Sequence, residues 1–188
     1  MRVLKESSPA EAVLEWLKAE LNSVRFNAAL GAALEAAGCD ETLITAARLD
    51  SEPDNAVRWR VLKSYRAWLD IDFENYDWVW VDLDRDEAGR LTYVDYSYWN
   101  ELSDGTRQVG RAAANVASGR MVFDVANDHF FSVAELVTAG QSMPPIIVVA
   151  DQNDGAAEIL EGHTRATGYL LADSARQPLP AIWGRGRV

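Results

Sequence analysis

An α+β fold is predicted from three observations. Residues 1–70 carry apolar side chains at helical spacing, whereas Trp78-Val79-Trp80-Val81-Asp82-Leu83 and Pro145 to Ala150 are rich in β-branched and aromatic residues. The last third runs strand, turn, helix, strand. A length of 188 residues sets the expectation of one domain. The expected organisation is a helical N-terminal region, 1–70, packed on a region 71–188 that holds an added β-hairpin and a small mixed sheet, as one compact unit.

The first helix is signalled by Ser8-Pro9-Ala10-Glu11. Ser8 can cap, Pro9 suits the first helical position, and Glu11 completes a capping box. Val13, Trp16, Leu17, Leu21 and Val24 then recur at helical spacing. A second helix holds Phe26, Leu30 and Leu34 and stops at Gly38, and a short third begins at Asp40. A fourth follows Asp54, with Val57, Val61, Leu62, Tyr65, Trp68 and Leu69 on one face. Trp16, Trp59 and Trp68 are read as core.

Trp78 to Leu83 reads as a strand, Asp86 to Arg90 as a turn and Leu91 to Trp99 as a return strand, so 77–99 is predicted to be a β-hairpin. Asn100 to Arg107 reads as a polar turn, and Arg107 to Ala117 as a helix ended by Gly119. Ser132-Val133-Ala134-Glu135 reads as a second capping box, opening a helix that ends at Gly140. Pro145 to Ala150 is a continuous apolar run of the buried-strand kind. Asp151 to Gly155 is a turn cluster, Ala156 to Leu160 a second strand, and Leu179 to Trp183 a last apolar stretch behind a Pro-bounded loop.

Charge and composition narrow the function. Eighteen Lys and Arg face 29 Asp and Glu, a net charge of -11, which repels phosphate backbones and acidic lipid. DNA and membrane surfaces are therefore disfavoured. No apolar run reaches the ~18 residues that a spanning helix needs, and residues 1–9 lack the apolar core of a signal peptide. Lone Cys39 fits a reducing compartment, and a cytoplasmic location is expected. Fifteen of the 18 basic residues are Arg, which fits either a coding bias or guanidinium forks that grip carboxylate or phosphate.

The segment that carries chemistry is Glu161-Gly162-His163-Thr164-Arg165, where a strand runs into a helix. The first turn of a helix offers unpaired N–H groups and a partial positive charge. Gly162 permits close approach of a ligand to the backbone, Arg165 adds a planar fork, Thr164 a hydroxyl, and His163 a donor or proton carrier. Together they describe an anion site. An ordinary strand–turn–helix with His163 as a satisfied cap stays open.

Over roughly residues 115–188 the order of parts resembles the ParB/sulfiredoxin-like family. The parts are Pro145-Ile146-Ile147-Val148-Val149, the Gly162-His163-Thr164-Arg165 turn, the small-residue helix Ala166 to Ala172, and Leu179-Pro180-Ala181-Ile182. Phe130 to Gly140 would be the helix before the first strand. The resemblance implies a nucleotide-phosphate site on Gly162, His163 and Arg165, and ATP, ADP or CTP as ligand. Sulfiredoxins carry a cysteine in the turn, where this chain has His163. Partition proteins carry Gly-Glu-Arg-Arg and continue into a helix-turn-helix. The branch that phosphorylates free serine has an acidic-Gly-His-x-Arg turn, and Glu161 to Arg165 is nearest to that.

A phosphotransferase or nucleotide hydrolase acting on a small hydroxyl compound is the function so implied. Glu161 or Glu101 would orient or deprotonate the acceptor, and Thr106-Arg107 would add a second phosphate fork. Asp82, Asp84 and Asp86 could hold Mg2+, although such runs more often keep an edge strand soluble. His129 is read as a loop or cap residue. The alternative is a non-catalytic regulatory or protein-interaction module. Trp78, Trp80, Tyr93, Tyr96, Tyr98 and Trp99 would then form an interface, with a second copy or another protein as partner. A nuclease or DNA-binding role ranks third, for want of a basic patch.

Overall fold

A computed structural model describes residues 1–150, 157–173 and 177–187. It shows a mixed α and β chain, which divides into two compact units: Ser7–Asp77, and Met1–Glu6 with Trp78–Val188. The turn expected over 151–155, and Ala156 at the start of the second C-terminal strand, lie outside the described residues.

The helical unit follows its start signals. α1 spans Pro9–Leu21, and Ser8 Oγ accepts from Glu11 N–H as its cap. α2 spans Asn27–Ala36, with Gly38 just past its end. In α3, Thr42–Thr45, the Asp40 carboxylate accepts from Thr42 N–H. α4 spans Glu52–Tyr65 and begins at Ser51, whose hydroxyl accepts from Asp54 N–H, so it opens three residues before the expected cap. Trp16, Leu17, Leu30, Leu34, Ile44 and Leu62 are buried here. The Glu20 carboxylate is buried too, and accepts from Trp16 Nε1 at 2.8 Å and Arg66 Nε at 2.9 Å. Trp68 is 54% exposed and is not core, a correction to the helical pattern. Its helix ends at Tyr65, so the 3.6-residue spacing no longer governs where Trp68 points.

The second unit is built on a sheet. Its strands are β1 Arg2–Glu6, β2 Tyr76–Leu83, β3 Thr92–Tyr93, β4 Ile146–Ala150, β5 Ala157–Glu161 and β6 Leu179–Gly186, in the order β1-β2-β6-β4-β5-β3. β4 runs antiparallel to β5 and parallel to β6, and β3 runs parallel to β5. β1 is antiparallel to β2 and lies in a region read as helical from sequence. Five residues, RVLKE, carry no strand signal of their own; they are a strand because β2 offers them an edge. A register shift between Val3 and Lys5 bulges β1, a known way of spoiling an open edge for further pairing.

The predicted hairpin over 77–99 is not formed. Asp84 and Glu87 make a reciprocal capping box that opens a helix, α5 Arg85–Arg90, where a turn was expected. That helix carries the chain off the sheet, and β3 returns on the far edge against β5 rather than β2. The aromatic return strand is instead α6, Ser97–Leu102. α7 spans Val109–Ala117, α8 Asp128–Thr138 and α9 His163–Leu171. α8 starts at Asp128, so Ser132 lies inside it, its hydroxyl donating to Asp128 O at 2.9 Å, and it does not cap.

α8 and α9 pack closely, with α7 against α9. A Cβ on Gly168 would stand 2.5 Å from Val133 and 2.8 Å from Phe130 O, so only glycine permits that approach. The core joins Val81, Leu83, Tyr93, Leu102, Phe130, Ile146, Val148, Ile159 and Tyr169. The apolar run Ile146 to Val149 is buried as predicted, each such side chain contributing about 1.5–3 kcal/mol over an exposed one.

Candidate functional site

The segment from Glu161 to Arg165 forms the junction of β5 and α9. Gly162 is the N-cap, with φ 98° and ψ 20°, and no side chain caps the helix. A Cβ there would meet Ile146 Cγ2 at 2.4 Å and Arg165 Nη2 at 3.0 Å. Left-handed φ and lack of room both require glycine. The chain thus turns off β5 straight into α9, whose first N–H groups have no side-chain cap, the feature of helix starts that suits an anion.

Arg165 braces the turn. Its Nη2 donates to Pro145 O at 3.1 Å and forms an ion pair with Glu161 Oε1 at 3.5 Å, with both side chains about one-sixth exposed (16% each). It therefore links the entry to β4, the exit of β5 and the first turn of α9. Glu161 offsets part of the positive potential there, so an anion would share Arg165 with a carboxylate. The half-buried Thr164 lies between them on the same turn.

The imidazole of His163 is walled by aromatic rings. Trp99 stacks on it at 5.1 Å with planes 10° apart, and Tyr93 at 5.7 Å and 25°. Trp99 and Tyr93 stack on each other at 4.5 Å. Tyr93 Oη and Thr167 Oγ1 share a hydrogen bond of 2.7 Å, and Thr167 Oγ1 donates to His163 O at 2.8 Å. Burial raises the Tyr93 phenol well above its ordinary value, so it remains a neutral donor across the physiological range.

The other predicted residues divide. Arg107 approaches the same sheet edge: its Nε donates to Tyr93 O at 2.9 Å, and its guanidinium pairs with Glu158 on β5. Its φ of 60° is left-handed, steadied by Ser103 Oγ, which accepts its N–H at 2.8 Å. Thr106 Oγ1 donates to Ser103 O at 2.8 Å, shaping the loop. Glu101 turns to Arg120 at 3.0 Å. Asp104 accepts from Asn115, Arg120 and Arg111, which hold its carboxyl well below the usual range. Asp82 pairs with Arg2, and Asp84 caps α5. His129 lies in the first turn of α8 with its ring 3.9 Å from Phe130.

Of the aromatic residues read from sequence as a possible interface, Tyr96 is 55% exposed, and Trp80, Tyr98 and Trp99 are half-buried. Tyr93 and Trp78 are buried and present no outer face, a correction for these two, and Trp99 packs one side against the core. The wall around His163 was not foreseen. Its signal, an aromatic-rich stretch some sixty residues before the turn, has no local reading.

A shallow cavity of about 260 Å3 lies elsewhere, lined among others by Arg2, Asp82, Met143, Tyr169 and Pro178. Asp82, read from sequence as a possible Mg2+ ligand, lines it, whereas no residue of the Glu161 to Arg165 turn or the Asn100 to Arg107 loop does. Among the described residues no cluster of three or more His, Cys, Asp or Glu is placed to hold a metal, and no helix is long and apolar enough to cross a membrane. No family model, curated protein or solved structure matches this chain.

Proposed function

We propose that the chain is a nucleotide-binding protein of ParB/sulfiredoxin-like kind, which seats a phosphate on the first turn of α9. The observation that carries this reading is the uncapped helix start at Gly162, with Arg165 braced beside it. The order α8, β4, β5, glycine turn, α9, β6 supports the family resemblance. Thr164 and the N–H groups of the turn bind phosphate oxygens, and Arg165 balances their charge.

Transfer to a small hydroxyl acceptor is the activity this arrangement suits. The acceptor oxygen forms a bond to the terminal phosphorus of ATP as the bond to the bridging oxygen breaks. Glu161 takes the hydroxyl proton, and ADP carries away the bridging oxygen with its electron pair. Glu101 meets Arg120 and Arg107 meets Glu158, and no role in the step is assigned to either. Mg2+ would supply charge neutralisation on the phosphates; Asp82 and Asp84 are otherwise engaged, and no step is assigned to it. With both extra groups tied up, a binding module without turnover is the second reading.

Calorimetry with ATP, ADP and CTP in the presence of Mg2+ separates these ideas from no function at the turn. At least one nucleotide should give saturable heat, and Thr164→Glu, which sets a carboxylate in the anion position, should abolish it. Silence with all three removes the proposal. Heat without product leaves the binding module.

A further inference from the structure

Between α7 and α8 the chain makes a tight two-residue turn. Val125 N–H donates to Val122 O at 3.0 Å, and the two residues form an antiparallel bridge. The central pair, Phe123 and Asp124, have φ of 51° and 57°, the pattern of a type I′ turn. Asn and Gly are the residues such turns favour, and a bulky aromatic at positive φ is uncommon. Phe123 accepts that strain and yet contributes nothing to the core, for it is 64% exposed.

The turn is held rigidly from beneath. Val122 is buried in the core. Asn127 Nδ2 donates to Arg120 O at 2.7 Å and closes the loop, while the Arg120 guanidinium is anchored on Asp104 and Glu101. Met121 and Val125, both exposed, flank Phe123. On α8, Phe131 is exposed between Asp128 and Glu135, one turn either side of it.

Charge states what such a surface would take. No Lys or Arg occurs between Arg120 and Arg165, so Asp128 and Glu135 have no cationic neighbour within four positions, and Asp124 has only Arg120, whose guanidinium is engaged by Asp104 and Glu101. A second copy would set carboxylate against carboxylate, and anionic lipid would be repelled. A partner with both apolar and cationic groups fits.

We propose that this turn is a docking tip for a cationic amphipathic polypeptide segment. Phe123 packs on the apolar face of that segment, with Met121 and Val125 at its sides. Asp124, Asp128 and Glu135 meet Lys or Arg on its rim. Strain at Phe123 is retained because the exposed ring serves a partner rather than the fold. The proposal stands apart from the phosphate reading of the α9 turn.

The test uses the full chain and two labelled helical peptides, one of Lys and Leu and one of Glu and Leu, followed by fluorescence anisotropy at about 0.15 M salt. The Lys/Leu peptide should bind saturably and the Glu/Leu peptide should not. Phe123→Gly should weaken binding at least about tenfold while raising the thermal midpoint, since glycine removes the strain. Trp68→Ser, at an exposed aromatic elsewhere, should leave binding unchanged. No binding, or equal binding by Phe123→Gly and wild type, overturns the proposal. So does a midpoint that falls in Phe123→Gly, or a dimer in sedimentation that this variant dissolves.

Discussion

Gly162 shows how one residue can set a site. Its φ of 98° and the 2.4 Å at which an added Cβ would meet Ile146 leave no space for a side chain, and the glycine turn leads β5 directly into α9. Gly162→Ala should destabilise the chain by roughly 2–4 kcal/mol, from a left-handed alanine and an overpacked contact. Chemical denaturation measures it, and a loss below ~0.5 kcal/mol would mean the turn can relax. Arg165 and His163 were readable as neighbours of this glycine because all three lie within four residues. Tyr93 and Trp99 were not readable as the walls of His163. Sequence spacing reports what sits one turn away, not what a sheet edge brings back.

At the scale of elements, the start signals decided most of what was legible. Ser8, Asp40 and Gly38 mark helix ends where expected, and the buried run of β4 announced itself by composition. The hairpin failed at Asp84. Asp86 to Arg90 contains Gly89 and several charges, as turns do, but Asp84 and Glu87 cap each other and so begin a helix. Asp84→Ala should cost about 1 kcal/mol, as lost caps do. Unchanged stability would show that α5 stands without its box. β1 and β3 have short, uninformative sequences, and each is a strand through a partner more than sixty residues away. No local signal encodes such pairing.

Across the described residues, several of the fifteen arginines of this acidic chain act as internal braces. Arg58 is buried and donates to the carbonyls of Leu43 and Arg48, Arg66 meets Glu20, Arg85 donates to Ala172 O, and Arg107 meets Glu158. The pairs with Glu20 and Glu158 are the carboxylate grip that composition offered as one alternative; the donations to backbone carbonyls were not anticipated. Stability at high pH follows from the buried tyrosines. Tyr93 and Tyr169 have phenols raised by burial, so the folded state keeps protons that the unfolded chain loses. The tyrosines' contribution to stability should be level below pH ~10, the unfolded tyrosine value, and be lost as pH rises past it. Tyr93→Phe should flatten that fall while losing the bond to Thr167 at neutral pH. An unchanged alkaline limb would place the sensitivity elsewhere.

The phosphate seat on α9 is open to direct observation by amide chemical shifts. Titrating the labelled protein with Mg2+ and ATP, or with CTP, should move the backbone N–H signals of His163, Thr164 and Arg165 first and furthest. Shifts confined to other residues, or none at saturating nucleotide, would contradict it.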